Sequence, residues 1–259
     1  MRKHSVSIIV PARDEAGTIK KLVEETPIMG KLTEIIFIEG HSKDKTWEEI
    51  TRLCPFDSFD FAQYKSAQGF GGQGKLKIQA YKQRGWGKAN AVEIGFEKAR
   101  GDILMILDAD LSVDPKELPK FYKAIASGKA DFANGSRFIF PKESGAMRLV
   151  NHIGNIFFSF VFTHLLGQKV TDTLCGTKAF WKEDYKKILK VTKGFSRHDP
   201  YGDFTLFLGA GTLGLKIVEV PITYKARIYG KPKISRLKDG AKLLIVLAKA
   251  LRYFAKAGE

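Results

Sequence analysis

The hydrophobic positions of the chain switch repeatedly between the spacing of strands and that of helices. Apolar runs over residues 5–11 and 34–39 predict buried strands, and the segments 18–25 and 45–53 that follow them have helical periodicity. We expect Pro11 to end the first strand, because proline cannot donate to a sheet ladder. The alternation predicts an α/β fold with a mostly parallel central sheet, helices on both faces and ligands beyond the carboxyl ends of the strands.

A run of five apolar residues, Ile103 to Leu107, predicts a further buried strand that leads into Asp108-Ala109-Asp110. Residues i and i+2 of an extended segment point to the same side, so the two carboxylates can converge on one ion. Carboxylate oxygens with room for substrate phosphates are what Mg²⁺ or Mn²⁺ prefers. An isolated Asp-x-Asp is more often a solvated acidic turn, so its neighbours decide between the two interpretations.

Other polar residues also fall at predicted strand ends. Glu15 and Glu39 follow the first two strands, and Gly87-Lys88 opens a predicted helix. A lysine at a helix N-terminus can serve a phosphate, because free N–H groups and the helix dipole favour anions there, although a plain helix start has the same pattern. Arg137 closes a predicted strand over residues 131–134 and brings a cation near the proposed metal. Taken alone, it is more typical of a surface ion pair.

The regular alternation lapses between Cys54 and Lys77, which predicts a surface excursion. Within it, residues 69–75 fit the spacing of a phosphate-binding loop, but Leu76 replaces the Ser or Thr that would hold magnesium. No strong apolar strand precedes the first glycine either. We therefore expect a flexible loop here, followed by a short strand over residues 77–81.

Two further segments are apolar helices by pattern. Residues 151–167 include an apolar helix over 153–166 that is too short to cross a bilayer, which takes roughly 20 apolar residues. A polar stripe runs along it, formed by Asn151, Asn155, Ser159 and Thr163. The pattern fits a core helix or a helix that lies in a membrane interface.

The C-terminal segment 235–259 predicts a basic amphipathic helix that follows a main domain of residues 1–234. Its cations lie within roughly 80° of one another at 100° per residue; they are Lys238, Lys242, Lys249, Arg252 and Lys256. A basic stripe on an apolar helix is the expected form for a segment that rests on anionic headgroups. A solvated face on a packing helix would have the same pattern.

Composition and charge narrow the class of protein. The 259 residues suffice for one large domain, and a net charge of +15 favours an anionic partner such as nucleic acid, a phosphorylated ligand or a membrane surface. The two cysteines form no disulfide framework, and the N-terminus has no secretory pattern, so we expect a cytoplasmic protein peripherally associated with the membrane. No helix-turn-helix, zinc or RNA-binding signature occurs in the sequence, and we expect no nucleic-acid partner.

Taken in order, the motifs resemble those of the family-2 nucleotide-sugar glycosyltransferases of the GT-A (Rossmann-like) fold, particularly the dolichyl- or polyprenyl-phosphate sugar synthases. The opening segment, residues 6–15, resembles the family's strand that usually ends Pro-Ala-Tyr-Asn-Glu, and residues 39–46 correspond to its Asp-Asp-Gly-Ser-x-Asp-x-Thr with Glu first. Further counterparts are residues 87–91, 108–110, 135–137, 172–178 and 219–224.

The resemblance implies roles for particular residues. The nucleotide-binding set would be Pro11, Ala12, Arg13, Glu15, Glu39, Lys88, Asp108 and Ala109. The metal, Mg²⁺ or Mn²⁺, would be held by Asp108 and Asp110, with Asp110 the more direct ligand. Ser112 stands where the synthases often carry a Gln as a further metal ligand.

The resemblance also implies a set of acceptor residues. Arg227 would belong to a basic loop that closes over the phosphates, and the acceptor phosphate would meet Arg137, Arg148, Lys231 and Lys233. A lipid phosphate is already ionised and needs no general base, whereas a sugar hydroxyl would need a carboxylate. The candidates for that base are Asp203 and Asp172, which could equally be helix caps or loop anchors.

The sequence therefore predicts an inverting, metal-dependent glycosyltransferase. Its donor would be a UDP- or GDP-linked sugar, and its acceptor a polyprenyl or dolichyl phosphate at the cytoplasmic membrane surface. Transfer to a hydroxyl of a glycolipid or a soluble saccharide is the alternative within enzymes. A non-catalytic basic module that binds nucleotides or nucleic acid is the remote alternative, with affinity that would fall steeply with salt.

Overall fold

A computed structural model describes residues 4–54, 63–69, 72–139, 149–193, 195, 199–230 and 236–257. Within these residues, eight strands form one sheet in the order β3-β4-β2-β1-β5-β7-β6-β8. The strands are β1 (Val6–Ala12), β2 (Leu32–Glu39), β3 (Gln63–Gly69), β4 (Gly72–Lys82), β5 (Ile103–Ile106), β6 (Phe132–Ser136), β7 (Lys178–Trp181) and β8 (Ile217–Pro221).

The centre of the sheet is parallel, as the sequence predicts. Strands β4, β2, β1 and β5 run in the same direction, and β6 is parallel to β8. Strand β7 lies between β5 and β6 and is antiparallel to both. The reversal pairs Lys178, the first residue of β7, with Ile106, the last residue of β5. A lysine that begins a strand is therefore placed at the edge of the sheet where β5 ends.

Helices cover both faces of the sheet. They are α1 (Ala16–Glu25), α2 (Thr46–Leu53), α3 (Lys88–Lys98), α4 (Leu118–Ala126, after a 3₁₀ turn at Pro115–Glu117), α5 (Leu149–Leu166), α6 (Lys182–Val191), α7 (Asp203–Thr212) and α8 (Arg236–Ala257). Alternate residues of one strand enter two separate cores: Ile8 packs with α1 and α4, and Ile9 packs with α3 and α7. This division follows from the period of two in a strand and confirms the expected two-faced α/β architecture.

Two details of the sequence prediction are wrong. Pro11 does not end β1, because it lies inside the strand opposite Ile38 and Ala12 continues the pairing. The excursion and loop expected before residue 77 are strand wherever the structure describes them beyond Cys54, because Gln63–Gly69 of β3 pairs antiparallel with Gly72–Ile78 of β4. Strand β4 pairs in parallel with β2 from Lys75 to Lys82, and β3 joins its outer edge. Such non-local pairing leaves little periodic signal in a polar edge strand.

The two cysteines are free and buried, in agreement with the absence of a disulfide framework. Burial raises the pKa of both Cys54 and Cys175 to about 11, because the thiolate is disfavoured away from water.

A buried carboxylate fastens the amino ends of the central strands. Glu34 in β2 accepts hydrogen bonds from Ser7 Oγ, from Gln79 Nε2 at 2.8 Å and from the backbone N–H of Arg100 at 2.7 Å. The backbone N–H of Gly101 donates to the same carboxylate at 3.3 Å. Glu34 therefore joins β1, β2 and β4 to the turn that leads from α3 into β5.

Replacing Glu34 by Ala is expected to lower the free energy of unfolding by about 3 kcal/mol, because it leaves several buried donors without an acceptor. Urea unfolding followed by circular dichroism measures the change. Glu24→Ala is the matched control, since Glu24 forms an exposed i,i+4 ion pair with Lys20 worth about 0.5 kcal/mol or less. Equal losses in the two variants would contradict a structural role for the Glu34 network.

Candidate functional site

The loops that follow β1 and β2 are joined by a short sequence pattern, Ser42-x-Asp44-x-Thr46. Ser42 Oγ accepts a hydrogen bond from the backbone N–H of Asp14 at 3.0 Å. Thr46 Oγ1 accepts from the N–H of Glu15 at 2.8 Å, and Asp44 Oδ2 accepts from the N–H of Ala16 at 3.2 Å. The backbone N–H of Ser42 in turn donates to Glu39 Oε1 at 2.5 Å. The pattern therefore fixes the start of α1 against the carboxyl end of β2, and places Glu39 in that junction.

Arg227 links the ends of β1 and β5. Its Nη1 lies 2.6 Å from Glu15 Oε1, and its Nη2 lies 2.7 Å from Asp110 Oδ2. The backbone N–H of Ser112 donates to the other oxygen of Asp110 at 3.0 Å. Because Arg227 follows β8, the C-terminal part of the chain completes a site that begins at β1.

Asp108 pairs with the first residue of α3. Lys88 Nζ lies 2.5 Å from Asp108 Oδ1. Desolvation disfavours both charges, but their mutual attraction outweighs it, so the pKa of Asp108 lies below its ordinary value and the pKa of Lys88 lies above its own. A Cβ added at Gly176 would meet Asp108 Oδ2 at 2.2 Å and Lys88 Nζ at 2.5 Å, so a side chain there would displace this ion pair.

Lys178 adds a second cation to this edge of the sheet. Its side chain is fully buried, and its Nζ lies 2.5 Å from Asp203 Oδ1 and donates to the carbonyl of Cys175. Asp203 is the first residue of α7, where the helix dipole favours a negative charge. The charge of Lys178 also helps to lower the pKa of Asp108. The sequence signal for Lys178 was its place at the end of the 172–178 motif, but its position in the site depends on the reversed direction of β7.

Arg137 and Asp172 form a buried pair to one side of this cluster. Arg137 Nε and Nη2 lie 2.6 and 2.7 Å from the two oxygens of Asp172, and the guanidinium carbon lies 5.1 Å from the centroid of the Tyr224 ring. Glu219 accepts hydrogen bonds from the backbone N–H groups of Thr171 and Asp172. The arrangement anchors the loop that leads through Gly176 to β7.

The polar stripe of α5 holds the same loop. Asn155 Nδ2 donates to the carbonyl of Thr171 at 2.7 Å, and Asn155 Oδ1 accepts from the backbone N–H of Thr173 at 3.2 Å. Ser159 and Thr163 donate to the carbonyl of Val170 at 2.5 and 3.2 Å. Three of the four residues of the predicted stripe therefore bind backbone, and the side chain of the fourth, Asn151, lies outside the described part.

The remaining predicted residues contribute in other ways or lie elsewhere. The carbonyl of Ala12 accepts from the N–H of Gly40 at 2.8 Å, Pro11 belongs to the β1–β2 pairing, and Ala109 is buried in the core. Arg13 borders the ring of an exposed tryptophan, with its guanidinium carbon 6.0 Å from the centroid. Three predicted acceptor residues lie outside the described residues: Arg148, Lys231 and Lys233.

The chemistry of the carboxylates is compatible with a metal ion shared with a substrate. Among the described residues, no group of three or more Asp, Glu, His or Cys side chains is arranged to hold a metal. Mg²⁺ is commonly bound by one or two carboxylates and completed by substrate phosphates and water. Asp108 and Asp110 supply such a pair of carboxylates, so the residues fit a metal that a diphosphate helps to bind.

Comparison with known proteins identifies the family. The sequence model described as Glycosyl transferase family 2 matches residues 7–189. Glycosyltransferase AglD of Haloferax volcanii is 26% identical over 248 residues, which cover 90% of this chain and 35% of the relative. Dolichol-phosphate mannosyltransferase of Pyrococcus furiosus is 31% identical over 136 residues, covering 52% of this chain and 33% of that protein. The chain therefore spans about a third of the length of these curated relatives.

A solved structure supports the fold. Glucosyl-3-phosphoglycerate synthase from Mycobacterium tuberculosis in complex with Mg²⁺ and UDP aligns with a TM-score of 0.66 over 95% of this chain and 79% of the other, at 16% identity. At that identity the likeness supports the fold alone, and the GT-A fold implied by the motifs is confirmed. The family expected from the ordered motifs is confirmed as well: the chain belongs to glycosyl transferase family 2.

Proposed function

We propose that the chain is an inverting, metal-dependent enzyme that transfers a sugar from a UDP- or GDP-linked donor to a polyprenyl or dolichyl phosphate at a membrane surface. The observation that carries the proposal is the cluster at the carboxyl ends of β1 and β5. There Arg227 contacts both Glu15 and Asp110, and Lys88 contacts Asp108. Carboxylates able to hold a metal and cations able to hold phosphates thus occupy one place.

The cluster fits the chemistry of a diphosphate leaving group. When the bond between sugar and phosphate breaks, negative charge grows on the β-phosphate, and preorganised cations stabilise it. Arg227 and Lys88 supply two such cations within the described site. A divalent metal held by Asp108 and Asp110 would supply Lewis-acid stabilisation of the same charge.

The state of the two candidate general bases favours an acceptor that is already ionised. Asp172 is bound on both oxygens by Arg137, and Asp203 is paired with Lys178. Each of the two carboxylates therefore already has a cation as its partner. A phosphate acceptor needs no base, and its direct attack opposite the leaving diphosphate inverts the anomeric centre. The similarity to dolichol-phosphate mannosyltransferase points to the same class of acceptor.

Transfer to a hydroxyl remains the alternative within enzymes. Its best candidate base is Asp203, because the charge of Asp203 acts on Lys88 and therefore lies within electrostatic reach of the Asp108 pair. This reaction would require the ion pair between Lys178 and Asp203 to open during catalysis.

Helix α5 supports a membrane surface as the place of reaction. Its residues Phe158 and Phe162 are buried, while another face exposes Ile153, Ile156, Phe157 and Phe160, each between 48% and 64% accessible. A contiguous exposed apolar face on a helix marks an interaction surface. No helix among the described residues is both long and apolar enough to pass through a bilayer.

Helix α8 adds positive charge to a similar apolar face. It packs on the core through Val246, Leu247 and Ala250, and it exposes Leu244, Ile245 and Leu251. Exposed cations accompany these apolar residues, namely Lys242, Lys249 and Arg252. Apolar side chains flanked by cations suit the boundary of an anionic bilayer.

Asp110→Ala is expected to lower transfer of sugar to polyprenyl phosphate by about 10²- to 10³-fold, because it removes a carboxylate proposed to bind the metal. Product is measured as sugar recovered in the lipid phase, and circular dichroism checks the fold. Excess chelator should lower the activity of the unchanged protein to a similar degree. Full activity in the variant or with chelator would exclude the metal mechanism.

Arg227→Ala is expected to reduce kcat by about 10²-fold, since the guanidinium would no longer stabilise the leaving diphosphate. Arg227→Lys should recover only part of the loss, because an ammonium cannot form the same two planar contacts. Lys225→Ala provides a control on the same loop, where Lys225 pairs with Asp114. Equal kcat values for the Lys225 and Arg227 variants would argue against the assigned role.

A double substitution of Phe157 and Phe160 by Ser is expected to reduce binding to vesicles that contain phosphatidylglycerol by about tenfold or more, because the exposed apolar area is lost. Co-sedimentation measures the bound fraction. Leu189→Ser is the matched control, because Leu189 is an exposed apolar residue of α6. Transfer to a short, water-soluble isoprenyl phosphate should persist in the double variant. Unchanged sedimentation would rule out α5 as a membrane contact.

A further inference from the structure

An exposed aromatic side chain stands beside the proposed nucleotide site. Trp86, in the loop between β4 and α3, is 71% exposed, and its ring stacks on His41 with 4.2 Å between the centroids and 25° between the planes. The guanidinium carbon of Arg13 lies 6.0 Å from the centroid of the Trp86 ring. These three residues come from the loops after β4, β2 and β1, and together they form what we call the Trp86 platform.

The backbone beneath the platform is strained but well supported. His41 has φ +58°, a left-handed conformation that non-glycine residues rarely adopt. A ring nitrogen of His41 lies 2.9 Å from the carbonyl of Gly85, so the side chain ties the β2 loop to the loop that carries Trp86. Strained conformations that are retained by surrounding contacts concentrate at functional sites.

The platform adjoins the part of the site that the motifs associate with the nucleoside. The buried Glu39 precedes His41 by two residues, and its carbonyl accepts from the N–H of Gln83 at 2.8 Å. The carbonyl of Ala12 accepts from the N–H of Gly40 at the same distance. The ends of β1, β2 and β4 are thus held together, with a buried carboxylate in the middle and an exposed aromatic ring at the rim.

We propose that Trp86, supported by His41, is the surface on which the nucleobase of the sugar donor stacks. Any nucleobase can stack on an aromatic side chain, because every base has a π-face. The inference rests on the proposed use of a nucleotide donor and assigns residues for its base.

The inference is tested by isothermal titration of the full chain with UDP, GDP and inorganic diphosphate, each with and without Mg²⁺. Trp86→Ala should weaken binding of UDP and of GDP by about tenfold or more, which is the usual effect of losing a stacking partner. Binding of inorganic diphosphate should not change, because it has no base. Trp86→Phe should retain most of the affinity for both nucleotides.

Two further variants separate stacking from general damage. His41→Asn keeps a residue type that tolerates the left-handed backbone but removes the ring, and it should weaken both nucleotides less than Trp86→Ala does. Trp181→Phe alters a tryptophan in β7 opposite the start of β5, and it should leave nucleotide binding unchanged. Wild-type affinity for UDP and GDP in Trp86→Ala would overturn the inference. Nucleotide binding is measured here without sugar transfer. Wild-type affinity in Trp86→Ala would therefore not contradict the proposed reaction, and a failure to transfer sugar would not contradict stacking on Trp86.

Discussion

Charge pairing at the carboxyl ends of the strands is the interaction on which the site depends. Lys88 and Lys178 lie among Asp108 and Asp203, and Arg227 contacts Asp110. Isolated charges in such a desolvated position would be costly, whereas alternating charges stabilise one another. The partners come from distant parts of the chain, so the charges can be compensated only when β1, β5, β7, α3 and α7 are assembled. Folding and the arrangement of the groups proposed to bind phosphate are therefore coupled.

The same pairing is compatible with the proposal that one cluster binds both a metal and a diphosphate. Arg227 already contacts a carboxylate proposed as a metal ligand, so cation and anion sites share atoms. A phosphate that enters the cluster meets cations whose positions are fixed, which limits the reorganisation needed as charge develops. Gly176 leaves room for these groups, since a side chain there would displace Asp108 and Lys88 from their present contact.

Much of this arrangement was predictable from local pattern. Apolar runs followed by carboxylates located the strand ends of Glu15, Glu39 and Asp108, because in a parallel sheet those ends share one edge. The role of the α5 polar stripe could not be predicted in the same way. The helical period reveals the stripe, but the stripe binds the backbone of residues 170–173, and this tertiary contact has no local signal in the sequence. The same limit applies to β4, which pairs with β2, a strand more than 40 residues earlier in the chain (Leu32 lies opposite Lys75).

Residues whose roles depend on reversed or distant segments were the hardest to predict. Lys178 reaches the site only because β7 runs antiparallel to β5. Arg137 was predicted near an acceptor, yet its bidentate contact with Asp172 depends on a loop 35 residues away. Trp86 and His41 lie in loops, where neither helical nor strand periodicity applies, and only the meeting of two loops brings their rings together.

The central claim is that the cluster transfers a sugar from a nucleotide to a lipid phosphate without a general base. The most direct test is to incubate the protein with a panel of UDP- and GDP-sugars and polyprenyl phosphate, and to score nucleotide release, sugar on the lipid and the anomer formed. The account predicts a glycosyl phospholipid of inverted configuration from at least one donor, with nucleotide release that depends on the lipid. Transfer only to hydroxyl acceptors, or a product of retained configuration, would contradict it.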